Sequence, residues 1–380
     1  MIDLHSCSRT PDAPLAIALH LLDLYVWPWV FLGEFLVKAI ALGLLLGEGA
    51  FGQVLEVVKR DCGKRYAMKV MHKEAMRRQL GSSWRKKIWL EKDLMATLSH
   101  PMLVNLHYSF QNQEFLVLVM DLVSAGDLSE FVLTKKRELS PCNALFLHLS
   151  HSPLHSPLVT LPVFPTCHIP HLSHTPLVTL PFLLPLVTHP HTAILLVSGL
   201  TAEQVQFIVM ETVCVLAYCH SQSVLYRDLK PENLLIDDMG HVRLIDMGLA
   251  ARITKKTPKR RSRVGTDCYM APEVRYARDR REMYGTSCDW YTVGVLTYEF
   301  SAGRVPFADP KAQPPVYRPH AFADPHCEDF VKRLLDQDHK TRLGCGARGV
   351  KELLEHPYFR GVEWELVNVS FKSLSHESSF

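Results

Sequence analysis

The apolar and polar positions change their period along the chain, and each change predicts a different element. Residues 44–60, "LLLGEGAFGQVLEVVKR", read as strand, glycine-rich turn, strand. "KRYAMKVMHK" reads as a further short strand. In "SSWRKKIWLEKDLMATLS" the spacing turns helical, with Ile88, Leu90, Leu94, Met95 and Leu98 on one side. "VNLHYSF" and "FLVLVMDLV" return to strand, and "SAGDL" is a connector. Residues 41–123 thus predict a small, mostly antiparallel sheet with one helix. Thr201 is a good helix N-cap with Gln204 three residues on, and the helix it opens carries Val205, Ile208, Val209, Val213 and Leu216. The remaining segments read mainly as helices, which makes residues 124–362 a larger, mostly helical region.

Two stretches break these patterns. Residues 14–46 are strongly apolar, but Asp23, Glu34, Lys38 and Pro28 interrupt them. No uncharged run reaches the roughly 18–20 residues of a spanning helix. The opening "MIDLHSCSRTPD" lacks a basic region followed by an apolar one, so neither a transmembrane span nor a signal peptide is expected. Residues 1–40 are read as an apolar extension. The second stretch runs from about 139 to 200 and contains no Asp, Glu, Lys or Arg. It repeats itself as "HSPLVTLP", "HTPLVTLP" and "LPLVTHP". Its prolines disfavour a helix or a central strand, and its histidines follow no metal-ligand spacing. It is expected to be a low-complexity insertion without a core of its own. Residues 363–380 form a short tail.

Composition adds modest constraints. The chain has 380 residues, 47% hydrophobic and 21% charged, enough for one large domain or two lobes. A net charge of +3 is too small to argue for nucleic acid. The ten cysteines include no CxxC pair, which favours reduced thiols in a cytoplasmic protein over a disulfide framework or a zinc site.

Several clusters carry candidate chemistry. The turn from Gly47 to Gly52 lies between strands, so it does not fit a βαβ dinucleotide unit; a hairpin lid closing over phosphates, with Val54 against a base, is the alternative. Lys69 in "YAMK" sits on an otherwise inward strand face and needs a partner, for which Glu91 on the helix is suited. "VLYRDLKPENLLIDD" places Asp228, Lys230 and Asn233 along one short loop. Asp228 can accept a hydroxyl proton, Lys230 can neutralise a transferring phosphoryl group, and Asn233 can offer an oxygen to a divalent cation. "LIDMGLA" offers Asp246, which taken alone suits either a cation ligand or a surface turn.

Together these motifs resemble the eukaryotic protein kinases: the Gly47/Gly49/Gly52 loop, Lys69, Glu91, "YRDLKPEN", "DMG" and "APE" at 271–273, with Asp289 in "CDW" and Arg342 in "KTRLG". The resemblance spans roughly residues 45–360, the insertion excepted. It implies an α+β, bilobal protein-kinase fold, with a small antiparallel-sheet N-lobe carrying one helix and a larger mostly helical C-lobe. It further implies transfer of the ATP γ-phosphoryl group to Ser or Thr, with ATP and Mg²⁺ bound. Gly47, Glu48, Gly49, Ala50, Phe51 and Gly52 would cover the phosphates, and Lys69, oriented by Glu91, would hold them. Leu46, Val54, Ala67, Met120, Asp121, Val123 and Leu235 would surround the adenine, and Asp127 would reach the ribose. Asn233 and Asp246 would hold Mg²⁺; Asp228, Lys230 and Thr266 would serve the catalytic step. Asp289 would buttress the catalytic loop and Arg342 would pair with Glu273. Met247 stands where kinases usually carry Phe.

Subgroup motifs point further. "YRD", "SAGDL", "LLDQDHKTRLG" and "LLEHPYFRGVEW" resemble the AGC group, and "RLIDMGLA" and "GTDCYMAPE" resemble the G-protein-coupled receptor kinases within it. Six basic residues lie between Lys255 and Arg263. A solvated basic loop and attraction to acidic or membrane-receptor substrates stand as equal readings of them, and peripheral membrane association stays open. Ser262 falls where many AGC kinases carry an activating phosphate. Between Asp309 and Cys327 a substrate-docking helix is missing, and the tail is short for the group. A catalytically impaired kinase-like scaffold is therefore the alternative to an active enzyme.

Overall fold

The computed structural model describes residues 40–49, 51–124, 126–138, 200–254, 257, 259–279, 283–307, 315–318 and 321–364. Ala50, residues 1–39, residues 139–199 where the insertion is expected, residues 308–314 and 319–320 where the docking helix is expected to be missing, and the tail beyond 364 lie outside the described residues. The chain divides into two compact units.

The described part of the first unit runs to Ser99 and includes Leu103–Val123 and Asp246–Leu249. Its strands are β1 (Ile40–Gly49), β2 (Gly52–Lys59), β3 (Arg65–His72), β4 (Leu106–Gln111) and β5 (Phe115–Asp121). They form one antiparallel sheet in the order β1-β2-β3-β5-β4. Alternation along β3 divides its side chains between two faces. Tyr66, Met68 and Val70 join Val57, Phe115, Val117 and Val119 in a buried cluster. Ala67 and Lys69 take the opposite face. Val54 is the register partner of Lys69, and Met120 that of Ala67, so these four residues share it.

One helix was expected beside this sheet, and the structure contains two. Helix α1 (Lys73–Leu80) is capped by His72, whose side chain accepts from the Glu74 amide, and buries only Met76. A single buried residue in eight leaves too little periodicity to read from sequence. Helix α2 (Trp84–Thr97) buries Trp84, Ile88, Glu91, Leu94 and Met95. Of the expected face, Leu90 is only half-buried, while Trp84 and Glu91 join the buried side.

The second unit comprises His100–Met102, Ser124–Ile245 and the chain from Ala250 onward. Helix α3 (Leu128–Glu138) precedes the insertion, and α4 (Ala202–Ser221) follows it. The α4 capping box forms as expected: the Gln204 amide donates to Thr201 Oγ1 at 3.2 Å, and the Thr201 amide donates to Gln204 Oε1 at 2.9 Å. Among the described residues α4 is the one helix long and apolar enough to cross a membrane, yet its buried Val205, Ile208, Val209, Val213 and Leu216 mark it as a core helix. Short strands β6 (Val224–Leu225), β7 (Leu234–Ile236), β8 (Val242–Leu244) and β9 (Ala251–Arg252) pair as β6-β9 and β7-β8. Helices α5 (Pro272–Arg275), α6 (Ser287–Ala302), α7 (Pro325–Leu334) and α8 (Val350–Leu354) complete the unit. Every residue of α6 except Glu299 is buried, and it packs against α4 and α7.

His100 in this unit is an acid-sensitive point. Its ring lies 4.9 Å from that of Tyr218, and its Nδ1 accepts the Met102 amide at 3.2 Å, which requires the neutral form. Burial, with Arg243 nearby, lowers it to about 4. The folded state therefore favours the neutral ring, and the unfolded chain titrates near its ordinary value of about 6.5. Stability from this site is full above about pH 6.5 and is lost as pH falls toward about 4, by an amount on the order of 3 kcal/mol. His100→Gln is expected to flatten the dependence of Tm on pH across that window, as read by thermal scans in a buffer series.

Candidate functional site

In the first unit, β3 and α2 bring two opposite charges together. Lys69 Nζ lies 2.8 Å from Glu91 Oε1, whose side chain is only 4% exposed, and 3.5 Å from Asp246 Oδ2. Burial acts to lower the Lys69 value, but the two carboxylates outweigh it and hold the amine above its ordinary range. Lys69 is thus charged at neutral pH and ready to meet a polyanion. Asp246 adopts a left-handed backbone, φ 61°, uncommon for a residue with a Cβ. Its Oδ1 accepts the Gly248 amide at 2.8 Å. The motif alone allowed a turn or a ligand, and its neighbours in the sequence led to the ligand reading with the turn set aside. Asp246 does make a turn with one oxygen, while its other oxygen faces Lys69.

The glycine-rich hairpin shows two kinds of glycine. A Cβ on Gly47 would meet nothing within 4 Å, and one on Gly49 only the Gly52 carbonyl at 3.9 Å. A Cβ on Gly52 would fall 1.8 Å from the Val70 carbonyl oxygen. Gly52 therefore serves the pairing of β2 with β3, while Gly47 and Gly49 leave open space that a phosphate can enter. Gly52→Ala is expected to cost about 2 kcal/mol in urea unfolding, and Gly47→Ala less than about 0.5 kcal/mol.

The other first-unit positions fall into place unevenly. Val54, Ala67, Lys69 and Met120 share a sheet face, while Leu46 is 46% exposed. Glu48, Phe51 and Val123 lie in or beside the hairpin and the end of β5. The Asp121 side chain is committed elsewhere: it accepts from the Asn105 amide at 3.0 Å and Asn105 Nδ2 at 2.8 Å, and contacts His107 Nε2 at 2.6 Å. Burial acts to raise the Asp121 value, but these partners prevail and lower it. What Asp121 can offer an adenine is its backbone.

In the second unit the loop after β6 carries the catalytic candidates. It is held from beneath by Asp289, whose side chain is 1% exposed. Asp289 accepts the Tyr226 amide at 3.0 Å, the Arg227 amide at 2.8 Å, and contacts His220 Nε2 at 2.7 Å. Arg227 has a left-handed φ of 71°, which turns the chain at the residue before Asp228. Asp228 Oδ1 accepts Thr266 Oγ1 at 3.0 Å, and Oδ2 accepts Asn233 Nδ2 at 3.2 Å. Lys230 Nζ stands 3.9 Å from Oδ2. Pro231 opens a 3₁₀ turn over Pro231–Asn233. Asn233 Nδ2 also donates to the Asp228 carbonyl at 2.8 Å, which leaves the amide oxygen as the atom to offer a cation. Leu235 on β7 bridges Asp127, whose Oδ1 caps α3 through the Glu130 amide at 2.9 Å.

Two pairs brace this unit, one fully buried and one part-buried. Arg342 Nη2 donates to Glu273 Oε2 at 3.1 Å and Nη1 to Oε1 at 2.5 Å. Tyr269 Oη donates to Glu299 Oε2 at 2.6 Å, and burial followed by that carboxylate raises the phenol far above its usual range. Sequence reading passed over Tyr269, Glu299, His220 and the Arg227 side chain. Arg227 lies inside "YRD" and was within reach of it; the others carry no local signal.

The donor set suits a hard cation. No group of three or more His, Cys, Asp or Glu is poised for a metal among the described residues. Asp246 in the first unit offers a carboxylate oxygen, and Asn233 in the second offers an amide oxygen, both hard donors. Mg²⁺ is commonly bound in this way, through one or two protein oxygens with water and phosphate completing its shell.

The first unit is a small antiparallel sheet bearing a Lys–Glu pair, and the second a mostly helical unit bearing an Asp–Lys–Asn loop braced by a buried Asp, as in the protein-kinase class of domains. The protein kinase domain family matches residues 41–149 and 185–359, and the chain belongs to that family. It is 28% identical over 335 residues to G protein-coupled receptor kinase 2 of Caenorhabditis elegans, covering 85% of this chain and 38% of that protein. It is 29% identical to a probable serine/threonine-protein kinase of Dictyostelium discoideum, covering 85% of the chain and 57% of the relative. It is also 29% identical to serine/threonine-protein kinase AtPK1/AtPK6 of Arabidopsis thaliana, covering 84% of the chain and 55% of the relative. The chain thus spans between 38% and 57% of these relatives' lengths.

Proposed function

We propose that this chain is an ATP-dependent protein serine/threonine kinase. The observation that carries the reading is Asp228: a carboxylate on a loop stapled by Asp289, aimed by Thr266 and Asn233, with Lys230 beside it. Asp228 orients the acceptor hydroxyl and takes its proton as the oxygen attacks the γ-phosphorus, while the bond from that phosphorus to the β,γ-bridging oxygen breaks and ADP leaves. Lys230 neutralises charge on the transferring group. Lys69, held by Glu91, positions the α- and β-phosphates, and residues 47–52 cover them. Asn233 and Asp246 would hold Mg²⁺, which supplies charge neutralisation across the phosphates when bound. Positioning and electrostatics of this kind account for most of the catalysis of phosphoryl transfer.

The finer reading is an AGC-type kinase similar to the G-protein-coupled receptor kinases. "RLIDMGLA" and "GTDCYMAPE" support it, as does the similarity to G protein-coupled receptor kinase 2 of Caenorhabditis elegans. The basic run over 255–263 favours acidic protein substrates, membrane receptors among them, and a cytoplasmic setting with peripheral membrane contact.

The test is transfer of label from γ-labelled ATP, with Mg²⁺, into peptide libraries holding Ser, Thr or Tyr in acidic or basic surroundings. Transfer to Ser and Thr that chelation of Mg²⁺ stops, stronger in acidic contexts, is expected. Label on Tyr alone would overturn the serine/threonine assignment. No transfer to any library would favour the scaffold reading.

A further inference from the structure

Tyr284 lies three residues before α6 and is completely buried. Its hydroxyl donates to the Ser262 carbonyl at 2.6 Å and accepts Arg227 Nη1 at 3.0 Å. The same Arg227 nitrogen reaches Ser262 Oγ at 3.0 Å, and that oxygen stands 3.3 Å from the phenol, so the three groups close a ring. The Tyr284 backbone is tied to the same strip of chain: its amide donates to the Arg260 carbonyl, and the Arg260 amide to its carbonyl, both at 2.9 Å.

This strip then runs along the catalytic loop. Gly265, at φ 111°, passes so close that an added Cβ would lie 2.7 Å from the Arg227 carbonyl oxygen. The next residue, Thr266, donates to Asp228. Arg227 is the residue before Asp228, and its amide is fixed by Asp289. Residues 260–266 and the catalytic loop are therefore joined at one end by the Tyr284 hydroxyl and at the other by the Thr266–Asp228 bond.

We propose that Tyr284 is a positioning residue for phosphoryl transfer. Its hydroxyl couples Ser262 to Arg227 and so holds Thr266 and Asp228 in register, with Ser262 uncharged. The proposal rests on the kinase reading of Asp228. A phenol suits the task because it is one donor and one acceptor at the tip of a rigid, buried ring. Removing only the oxygen leaves the Ser262 carbonyl and an Arg227 N–H each short of one partner, while the ring still fills its space. The Ser262 side chain contributes less, because the bond from Tyr284 to that segment is to its backbone.

The experiment compares wild type, Tyr284→Phe and Ser262→Ala, each treated with phosphatase, by steady-state kinetics, thermal unfolding and amide hydrogen exchange. Tyr284→Phe is expected to lower kcat about 10- to 100-fold, with KM for ATP within about twofold. Its Tm should fall by less than about 4 °C. Exchange of residues 260–266 should quicken. Ser262→Ala should lose less than about threefold in kcat, since both bonds of the Tyr284 hydroxyl remain. Wild-type kcat in Tyr284→Phe would overturn the proposal. So would a fall in kcat matched by a large loss of Tm and a rise in KM for ATP, which would mark a merely structural role. A loss in Ser262→Ala equal to that in Tyr284→Phe would overturn it too, because the serine would then carry the coupling. If wild type transfers no phosphate, the kinase reading fails by itself; unchanged exchange at 260–266 in Tyr284→Phe would still overturn the coupling.

Discussion

Asp228→Asn is expected to lower kcat for transfer to a serine peptide by about 100- to 10,000-fold, the range spanned by loss of a general base. The substitution is nearly isosteric. Asn233 keeps its bond to the Asp228 carbonyl, and the amides of Tyr226 and Arg227 keep theirs to Asp289, so the loop stays in place. What disappears is a proton acceptor and the negative charge 3.9 Å from Lys230. ATP affinity should change little, because Lys69 and its Glu91 partner, to which phosphate binding is assigned by proposal, lie on other elements. A fall in kcat with KM for ATP unchanged is the signature of an interaction made in the transition state alone. Single-turnover kinetics with nucleotide binding by calorimetry would separate the two. Activity equal to wild type would remove Asp228 from its assigned role.

Arg342→Met is expected to destabilise the protein by about 3–5 kcal/mol. Arg342 and Glu273 are among the most buried charged residues described, at 0% and 3% exposure. The arginine does more than neutralise Glu273. It also donates to the Ser287 carbonyl at 2.8 Å and to the Asp336 carbonyl at 3.1 and 2.9 Å, and lies 4.8 Å from the centre of the Tyr291 ring. Its removal strands one carboxylate and two carbonyls together. Glu273→Gln should cost less, since the amide oxygen still accepts from Arg342. Pairing Arg342→Met with Glu273→Leu should restore part of the loss, because a buried ion pair replaced on both sides leaves no uncompensated charge. Urea unfolding of the set as a double-mutant cycle measures the coupling. A cost below about 1 kcal/mol for Arg342→Met would show that the site relaxes or hydrates.

The candidate residues could be singled out from the sequence because they depend on residue type and order. Lys69 on an inward strand face is costly without a partner, Asp228, Lys230 and Asn233 stand close together on one short loop, and Glu91 and Asp246 gain meaning beside them. The elements holding them, a glycine-turned hairpin and a capped helix leading to a loop, follow local rules of periodicity and capping. Asp289, Glu273 and Arg342 were reachable only through the kinase resemblance, because their partners are far away along the chain; Arg342 and Glu273 are 69 residues apart. Helix α1 escaped notice for a different reason: its eight residues bury a single side chain.

By itself, then, the sequence determined which charged groups the protein owns and the order in which strands and helices present them, because those follow from side-chain chemistry and short-range spacing. The tertiary structure decided how those groups are aimed. It gave Asp246 to a turn and to Lys69 at once, and took the Asp121 side chain away to Asn105 and His107. It placed a tyrosine with no sequence signal against Arg227 and Ser262. Hydrogen bonds of that kind join segments tens of residues apart, and they are set by where the folded backbone brings donors and acceptors within about 3 Å.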